Sequence, residues 1–503
     1  MQYLITLDLG TTSVKTSIFD RRLNIAASNT EEYQLLTPSS GIVELEPQTY
    51  WAACVNGIQK VLVKSGVSPA DIVSISISTQ GETLIPIDKN GNELSNAIVW
   101  IDSRATEETA LLKESIGDDE LFRVTGLPEF GSANPICKLM WIRKNTPDIY
   151  NETYKFLLLE DYIIFKFTGD IVTEPTNMSS SGYFNTRGNT IWTEGLEKAG
   201  IDPDKIPWVV PCGTIIGNVL PCAAEETGLS TTTVVATGAN DQMCGAVGTG
   251  NIAAGVVSET TGTALAIICT ADEMPEKNLY NVTCSRHVNN KFIVMAYSVT
   301  SGIIYKWFKD VFCKAETEQS DAAGLDAYDR LNTLAEAVSR GSDGLLLLPM
   351  FAGKLSPDYN EGARGVFFGI ELGHTKGHFI RAIMEGIACM LRENLETVYN
   401  LCGETDRVIS TGGGAKSALW NQIKADVINK DIGVAQGEGA SLGAAIIGAV
   451  SNGWYNSIEE ACSDSVKISE SYTPDSEGVL DYQKLYQKFL LVYDSLLPAF
   501  KLT

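Results

Sequence analysis

Short apolar runs separated by polar, glycine-bearing breaks dominate the start of the chain, and their lengths predict strands rather than helices there. Tyr3 to Leu7 is apolar, breaks at Asp8-Leu9-Gly10-Thr11-Thr12-Ser13, and resumes from Val14 to Phe19 until Asp20 ends it. This predicts strand, turn, strand. The same plan returns later: Ala254 to Ser258 is apolar, Glu259-Thr260-Thr261-Gly262-Thr263 is the expected turn, and Ala264 to Cys269 resumes the strand. The step from Asp8 to Glu259 is 251 residues. It suggests two lobes that each open with a β-hairpin; two unrelated Gly/Thr hairpins are the plainer alternative.

Thr49 to Ser65 and Gly377 to Leu401 carry helical spacing, and Ile72 to Ser78 alternates as a strand. Arg407 to Ser410 runs as a strand into Gly412-Gly413-Gly414, and Ser417 to Asn429 follows as a helix. That order places backbone N–H groups where an anion can sit. Leu480 to Leu497 predicts a closing amphipathic helix, with Pro498 expected to stop it. No low-complexity or Pro-rich linker separates the halves, so packed structure is expected to join them.

Composition sharpens this picture. With 503 residues and 44% hydrophobic content, the chain is too long for one core and suits two lobes. Its 62 acidic and 38 basic residues give a net charge of −24 with no block of five or more like charges, which argues against nucleic acid and anionic membrane as partners. The eleven cysteines lie singly, without a C-x-x-C pair, as reduced buried thiols would. The N-terminus lacks the charge and apolar stretch of a secretion signal, and no transmembrane run is seen, so a cytoplasmic location is expected.

The breaks also carry candidate chemistry. Asp8, Gly10, Thr11, Thr12, Ser13 and Lys15 join an acid at a strand end to a tight turn and three hydroxyls, a set suited to a Mg-nucleotide, in which Asp8 can hold a Mg²⁺ water. A hairpin turn with a surface lysine is the alternative. Thr261, Gly262 and Thr263 offer a second set, so two turns could clamp one phosphate chain. There is no G-x-x-x-x-G-K-[ST] P-loop. Asp241, in Thr237-Gly238-Ala239-Asn240-Asp241-Gln242, lies at a polar break before a small-residue helix from Met243 to Gly248; it reads either as a general base or as the helix N-cap. Gln80, Gly81 and Glu82, and Trp100 and Asp102 before Arg104, end apolar strands and suit hydroxyl-rich ligands, or are plain loop and core residues. The histidines His287, His374 and His378 share no metal-ligand spacing.

The two turns together with Thr411-Gly412-Gly413-Gly414-Ala415 resemble the sugar kinase, actin and Hsp70 superfamily. Gly365-Val366-Phe367-Phe368-Gly369-Ile370 followed by His378-Phe379-Ile380-Arg381-Ala382-Ile383-Met384-Glu385-Gly386, and Pro135-Ile136-Cys137-Lys138-Leu139-Met140-Trp141, are similar to the two signatures of the FGGY carbohydrate kinases. The resemblance runs from residue 3 to about residue 447. It implies an α/β fold of two ribonuclease H-like domains flanking a nucleotide cleft, with 1–252 carrying the sugar contacts and base and 253–503 most nucleotide contacts. It also implies ATP and Mg²⁺ as cofactors, Asp241 as general base, Asp8 and Asp241 at the metal, and Gly302, Gly413, Gly414 and Ala415 on the nucleotide side. Gln80, Gly81, Glu82, Trp100, Asp102, Asn240 and Gln242 would meet a small sugar or polyol, and a homodimer is left open.

Two departures stand out. Xylulose kinases commonly show Gln-Met-His and glycerol kinases Gln-Arg-Glu where this chain has Gln80-Gly81-Glu82, and Ala418 replaces an asparagine near the base of glycerol kinases. Trp100-x-Asp102-x-Arg104 and the chain length look most like the xylulose branch. Gluconate, ribulose, glycerol and erythritol stay open, as does a non-metabolic ATPase of the same superfamily.

Overall fold

The computed structural model describes residues 1–437 and 439–502. Its first sheet begins with the expected hairpin: β1 (Tyr3–Leu9) and β2 (Ser13–Asp20) pair antiparallel and β3 (Ile25–Glu32) continues the meander. Helix α1 (Pro47–Ser65) crosses over to β4 (Ile72–Thr79), which pairs parallel with β1. After helix α2 (Pro135–Asn145) the chain returns through β5 (Ile215–Asn218), β6 (Val234–Ala236) and the two-residue β7 (Ala239–Asn240), which opens helix α3 (Asp241–Gly248). The order is β5-β6-β4-β1-β2-β3, with β7 paired parallel to the end of β4. β1 and β4 are buried on both faces because helices cover both sides of the sheet, although Ser74, Ser76 and Ser78 make one face of β4 polar.

The second sheet repeats the plan. β8 (Val257–Thr261) and β9 (Leu265–Ala271) form the hairpin, β10 (Thr283–Arg286) and β11 (Phe292–Ser298) extend it, and helices α4 (Gly302–Phe312), α5 (Ala327–Glu336) and α6 (Lys376–Cys402) follow. β12 (Arg407–Thr411) then lies parallel to β8, helix α7 (Ala418–Ile428) leads to β13 (Asp431–Ala435), and helix α8 (Gly439–Ser451), β14 (Ile468–Tyr472) and helix α9 (Ser476–Phe500) complete the chain. The order β10-β11-β9-β8-β12-β13-β14 is an antiparallel meander joined to parallel strands, as in the first sheet. The registers agree too: Asp8 lies beside Ser78 of β4, and Glu259 beside Ser410 of β12.

The halves meet where α3 crosses α8. A Cβ on Gly443 would stand 1.8 Å from the Cys244 carbonyl oxygen, and one on Gly248 1.9 Å from that of Gly439, so only glycine permits this crossing. Met243, Val247, Ile446 and Ile447 join Leu4 and Ile268 in one buried cluster drawn from both sheets.

Two expectations are corrected. The second hairpin starts later than Ala254: Val256 N–H closes a turn onto the Ala253 carbonyl and Gly255 is left-handed, so Glu259, Thr260 and Thr261 belong to the strand and the turn begins at Gly262. The closing helix runs through Pro498 to Phe500. Proline there removes one backbone bond in the last turn, and the buried Phe500 ring against Tyr493 holds that turn in place. Among the described residues no helix is long and apolar enough to cross a membrane.

Candidate active site

β1, β4 and β7 run parallel, and their carboxyl ends deliver Asp8, Ser78 with the Gln80–Glu82 loop, and Asp241 to one place. The Ser78 hydroxyl donates to Asp8 Oδ1 at 2.8 Å. Burial pushes the Asp8 carboxyl above its ordinary range, while Ser78 and the cross-strand Lys15 pull it back. Asp241 is pushed up to about 7, first by burial and then by the neighbouring carboxylates Asp8 and Glu82. The helix start does not consume Asp241, because the preceding Asn240 does the capping: its Oδ1 accepts the Gln242 N–H at 3.0 Å. Asn240 is itself held by its N–H to Thr176 Oγ1 at 2.8 Å, and Gln242 is exposed.

The loop after β4 is unusual backbone. Glu82 sits at φ +58°, a left-handed conformation that costs a non-glycine residue about 1–2 kcal/mol. Gln80 is buried; its Nε2 donates to the Tyr50 hydroxyl at 3.3 Å and to Thr83 Oγ1 at 3.2 Å, whereas its Oε1 has no hydrogen-bond partner among the described residues. Gly81 leaves little room for a side chain, since a Cβ there would stand 3.0 Å from Ser180 Oγ and 3.1 Å from Asn240 Nδ2, both of which would have to give. Trp100 is part-exposed, and its Nε1 donates to Thr11 Oγ1 at 2.9 Å, linking this loop to the first turn. Asp102 does not offer the free carboxylate expected of an acceptor contact. It is buried and accepts from Val43 N at 2.6 Å and from Arg104 Nε and NH2 at 2.9 and 2.8 Å, which makes it a brace for the Trp100 turn.

In the first turn, Gly10 N–H closes onto the Ser13 carbonyl at 2.9 Å, and Thr11, Thr12 and Ser13 are accessible. Tyr33 braces it twice, with its hydroxyl on the Gly10 carbonyl and its N–H on the Thr12 carbonyl. The second turn is built differently. Thr261 donates its hydroxyl at 2.7 Å to the buried Glu259, which also takes the Ser410 hydroxyl and, at 2.7 Å, the Lys424 ammonium. Thr261, Gly262, Thr263, Gly302, Gly413 and Gly414 line one end of a cavity of about 390 Å³. Gly302 N–H donates to the Gly262 carbonyl at 2.8 Å, an approach that leaves no room for a Cβ. The first turn stands outside this wall. Ala415 lies behind it, buried, with its carbonyl accepting from Asn421 Nδ2 at 2.7 Å, and Ala418 is exposed.

The model of the N-terminal domain of the FGGY family of carbohydrate kinases matches residues 3–248, and that of the C-terminal domain residues 254–452. The chain belongs to the FGGY family of carbohydrate kinases. It is 29% identical over 495 residues to a xylulose kinase of Bacillus subtilis, covering 98% of this chain and 97% of that one. It is equally identical over 495 residues to a gluconokinase of the same organism, with 97% and 95% covered. The crystal structure of a xylulose kinase from Lactobacillus acidophilus superposes with a TM-score of 0.89 at 24% identity, over 99% of this chain and 98% of that one, which establishes the shared fold.

This FGGY kinase also shows residues that motif reading missed. The far end of the cavity is formed by Tyr305, Tyr328, Asp329, Asn332 and Trp420. Tyr305 stands edge-on to Tyr328 and Trp420, at ring distances of 5.1 and 5.9 Å, and its hydroxyl donates to Asn332 Oδ1 at 3.0 Å. Tyr328, Asp329 and Asn332 share one side of α5, whose start Asp326 caps by accepting the Tyr328 N–H. That cap before a helix was the signal available in the sequence. Among the described residues no group of three or more His, Cys, Asp or Glu side chains forms a metal cage.

Proposed function

We propose that this kinase transfers the γ-phosphoryl group of ATP to a hydroxyl of a small neutral sugar or polyol, with D-xylulose, phosphorylated to xylulose 5-phosphate, as the first candidate. Xylulose and gluconate kinases are equally similar in sequence, so the ranking rests on charge. The carrying observation is that the acceptor end is a set of hydrogen-bond acceptors: the carboxylates of Glu82 and Asp241 and the unpartnered Gln80 Oε1. The cations around Glu82 are committed, Lys138 to backbone carbonyls and Arg104 to Asp102 and Glu44, and Lys15 stands on the Asp8 side. Such a site takes the hydroxyls of a polyol, whereas the carboxylate of gluconate would meet two like charges.

Asp241 accepts the proton of the attacking hydroxyl, and its raised pKa suits that task near neutral pH. Asp8 and Asp241 would hold Mg²⁺. Two carboxylates raised by burial, Asp241 also by the charge of Asp8, fit a hard cation whose remaining ligands are water and phosphate oxygens. Bound there, the ion would supply neutralisation of charge on the phosphates. Thr261 to Thr263 and Gly413 to Gly414 bind phosphate, and the aromatic end of the cavity takes the base. Lobe closure about the glycine-lined crossing of α3 and α8 brings the first turn, with Gly10, Thr11, Thr12, Ser13 and Lys15, onto the phosphates. We place the lobe division at residues 252 and 253, between the two matched segments, and the enzyme in the cytoplasm, as its eleven free thiols favour.

ADP release measured with Mg-ATP and D-xylulose, D-ribulose, glycerol, erythritol or D-gluconate tests this reading. D-Xylulose should give the highest kcat/KM, and a preference for gluconate would overturn the charge argument. Equal ADP release without any acceptor would instead favour a non-metabolic ATPase. Asp241→Asn should lower kcat by ~10³-fold or more with nucleotide affinity kept. The wild-type kcat/KM for the acceptor should fall as pH drops below about 7, where Asp241 takes up a proton.

A further inference from the structure

Lys138 is a fully buried lysine in helix α2, and the reaction outlined above gives it no task. Its Nζ donates to the Glu82 carbonyl at 3.0 Å and the Val99 carbonyl at 3.0 Å, with the Trp100 carbonyl at 3.5 Å. An ammonium has three donors, and here all three point at backbone oxygens. These oxygens belong to the two loops that carry the acceptor-side residues. One loop holds Glu82 in its left-handed conformation, and the other presents the Trp100 ring. The side chains add one tie, in which Thr83 Oγ1 accepts from both Gln80 Nε2 and the Trp100 N–H. The main-chain pairing of Leu84 with Ile98 anchors the strands behind these loops, and Lys138 ties the loop carbonyls themselves together.

We infer that Lys138 is a positioning residue for the acceptor: its ammonium staples the Glu82 and Val99–Trp100 loops together without touching the sugar. A carbonyl turned inward to Nζ fixes the Glu82 peptide, and the left-handed φ then directs the Glu82 carboxylate toward Asp241, whose pKa it raises. A neutral amine has one donor proton fewer and no charge with which to offset three converging carbonyl dipoles. The staple therefore weakens when Lys138 loses its proton. Burial brings that event down to about pH 8. The charged groups facing it are Glu82 and Asp102, which hold the proton on, Arg104, which drives it off, and the Cys137 thiol of its own helix, with Glu108 and Lys113 beyond it facing Cys137.

The inference rests on the acceptor site assigned above, and two readouts keep the two apart. In hydrogen exchange without any ligand, Lys138→Met should speed exchange at the amides of residues 80–84 and 99–103 by tenfold or more, leaving the segments at 261–263 and 412–414 unchanged. In kinetics with D-xylulose, Lys138→Met should raise the acceptor KM by tenfold or more while the ATP KM stays within twofold, and Lys138→Arg should recover part of the loss. Wild-type acceptor kcat/KM should decline above about pH 8, a limb the Met variant lacks. Unchanged exchange at both loops in a folded variant, or equal losses for acceptor and ATP, would overturn the staple. If Lys138→Met does not fold, absence of the alkaline limb in the wild type decides against it. If wild-type enzyme ignores D-xylulose, the substrate assignment fails and the exchange measurement alone judges Lys138.

Discussion

Asp8 and Glu259 hold matching places in the two sheets. Each lies near the end of the first strand of a hairpin, and each accepts the hydroxyl of the serine beside it on the adjacent parallel strand, Ser78 or Ser410. Their surroundings then diverge. Asp8 opens onto the cleft beside Asp241, whose carboxyl pKa it raises; among the described residues its hydrogen bond comes from Ser78, with the Lys15 charge alongside. Glu259 is fully buried and receives three donors, the Ser410 and Thr261 hydroxyls and the Lys424 ammonium from α7. One carboxylate keeps room for further partners, as the proposed chemistry requires; the other is saturated and holds the cavity wall at Thr261 in shape. A duplicated plan has been split between chemistry and support, and a single lysine on a neighbouring helix makes the difference.

The largest effect expected from breaking this comparison is on stability. Glu259→Gln leaves the buried Lys424 without a counter-charge, which should cost about 3–5 kcal/mol in urea unfolding. Glu259→Leu with Lys424→Met should return most of that loss, because an apolar pair avoids the desolvation of two ions. A double variant as unstable as the single one would show that Glu259 contributes by bracing Thr261 and Ser410 rather than by pairing charge.

Asp8 should behave in the opposite way. Asp8→Asn should lower kcat by ~10²-fold, about 2.7 kcal/mol of transition-state stabilisation. Folding should gain. The folded pKa of Asp8 lies above its unfolded value, so the proton is bound more tightly in the native state, and stability declines as pH rises from about 4 through the folded pKa. The same sign holds for Asp241 between about pH 4 and 7. Thermal unfolding at pH 8 should thus give a higher Tm for Asp8→Asn and for Asp241→Asn than for the wild type. A lower Tm in both would mean that these carboxylates stabilise the fold as Glu259 does.

This division explains what the sequence made legible. The hairpins, their repeat and the break at Asp241 could be read because apolar runs and glycines mark backbone geometry locally. The Glu259–Lys424 pair joins residues 165 apart, and no local pattern announces it. The aromatic end of the cavity, at Tyr328 and Asn332, comes from a helix remote from either turn. Asp102 misled for the same reason: an acid at a strand end suits a sugar, but whether its oxygens are free depends on Arg104 and on Val43, 59 residues away. Pro498 failed as a stop because Phe500 is anchored by tertiary packing.

The smallest effect concerns what holds the first turn. Tyr33 braces it with a side-chain hydroxyl on Gly10 and a backbone N–H on Thr12, whereas the second turn is braced by the charged Glu259 network. Tyr33→Phe keeps the ring, its edge-on contact with Tyr50 at 5.2 Å and the backbone bond, and removes only the hydroxyl. A neutral hydrogen bond of this kind contributes about 0.5–1.5 kcal/mol. If the first turn closes on the phosphates only when the lobes approach, that loss should appear as a two- to tenfold fall in kcat, with the Kd for ADP in the absence of acceptor unchanged. A matching rise in the ADP Kd would mean that the first turn already grips the nucleotide in the open enzyme, and that the two turns differ in their bracing but not in when they act.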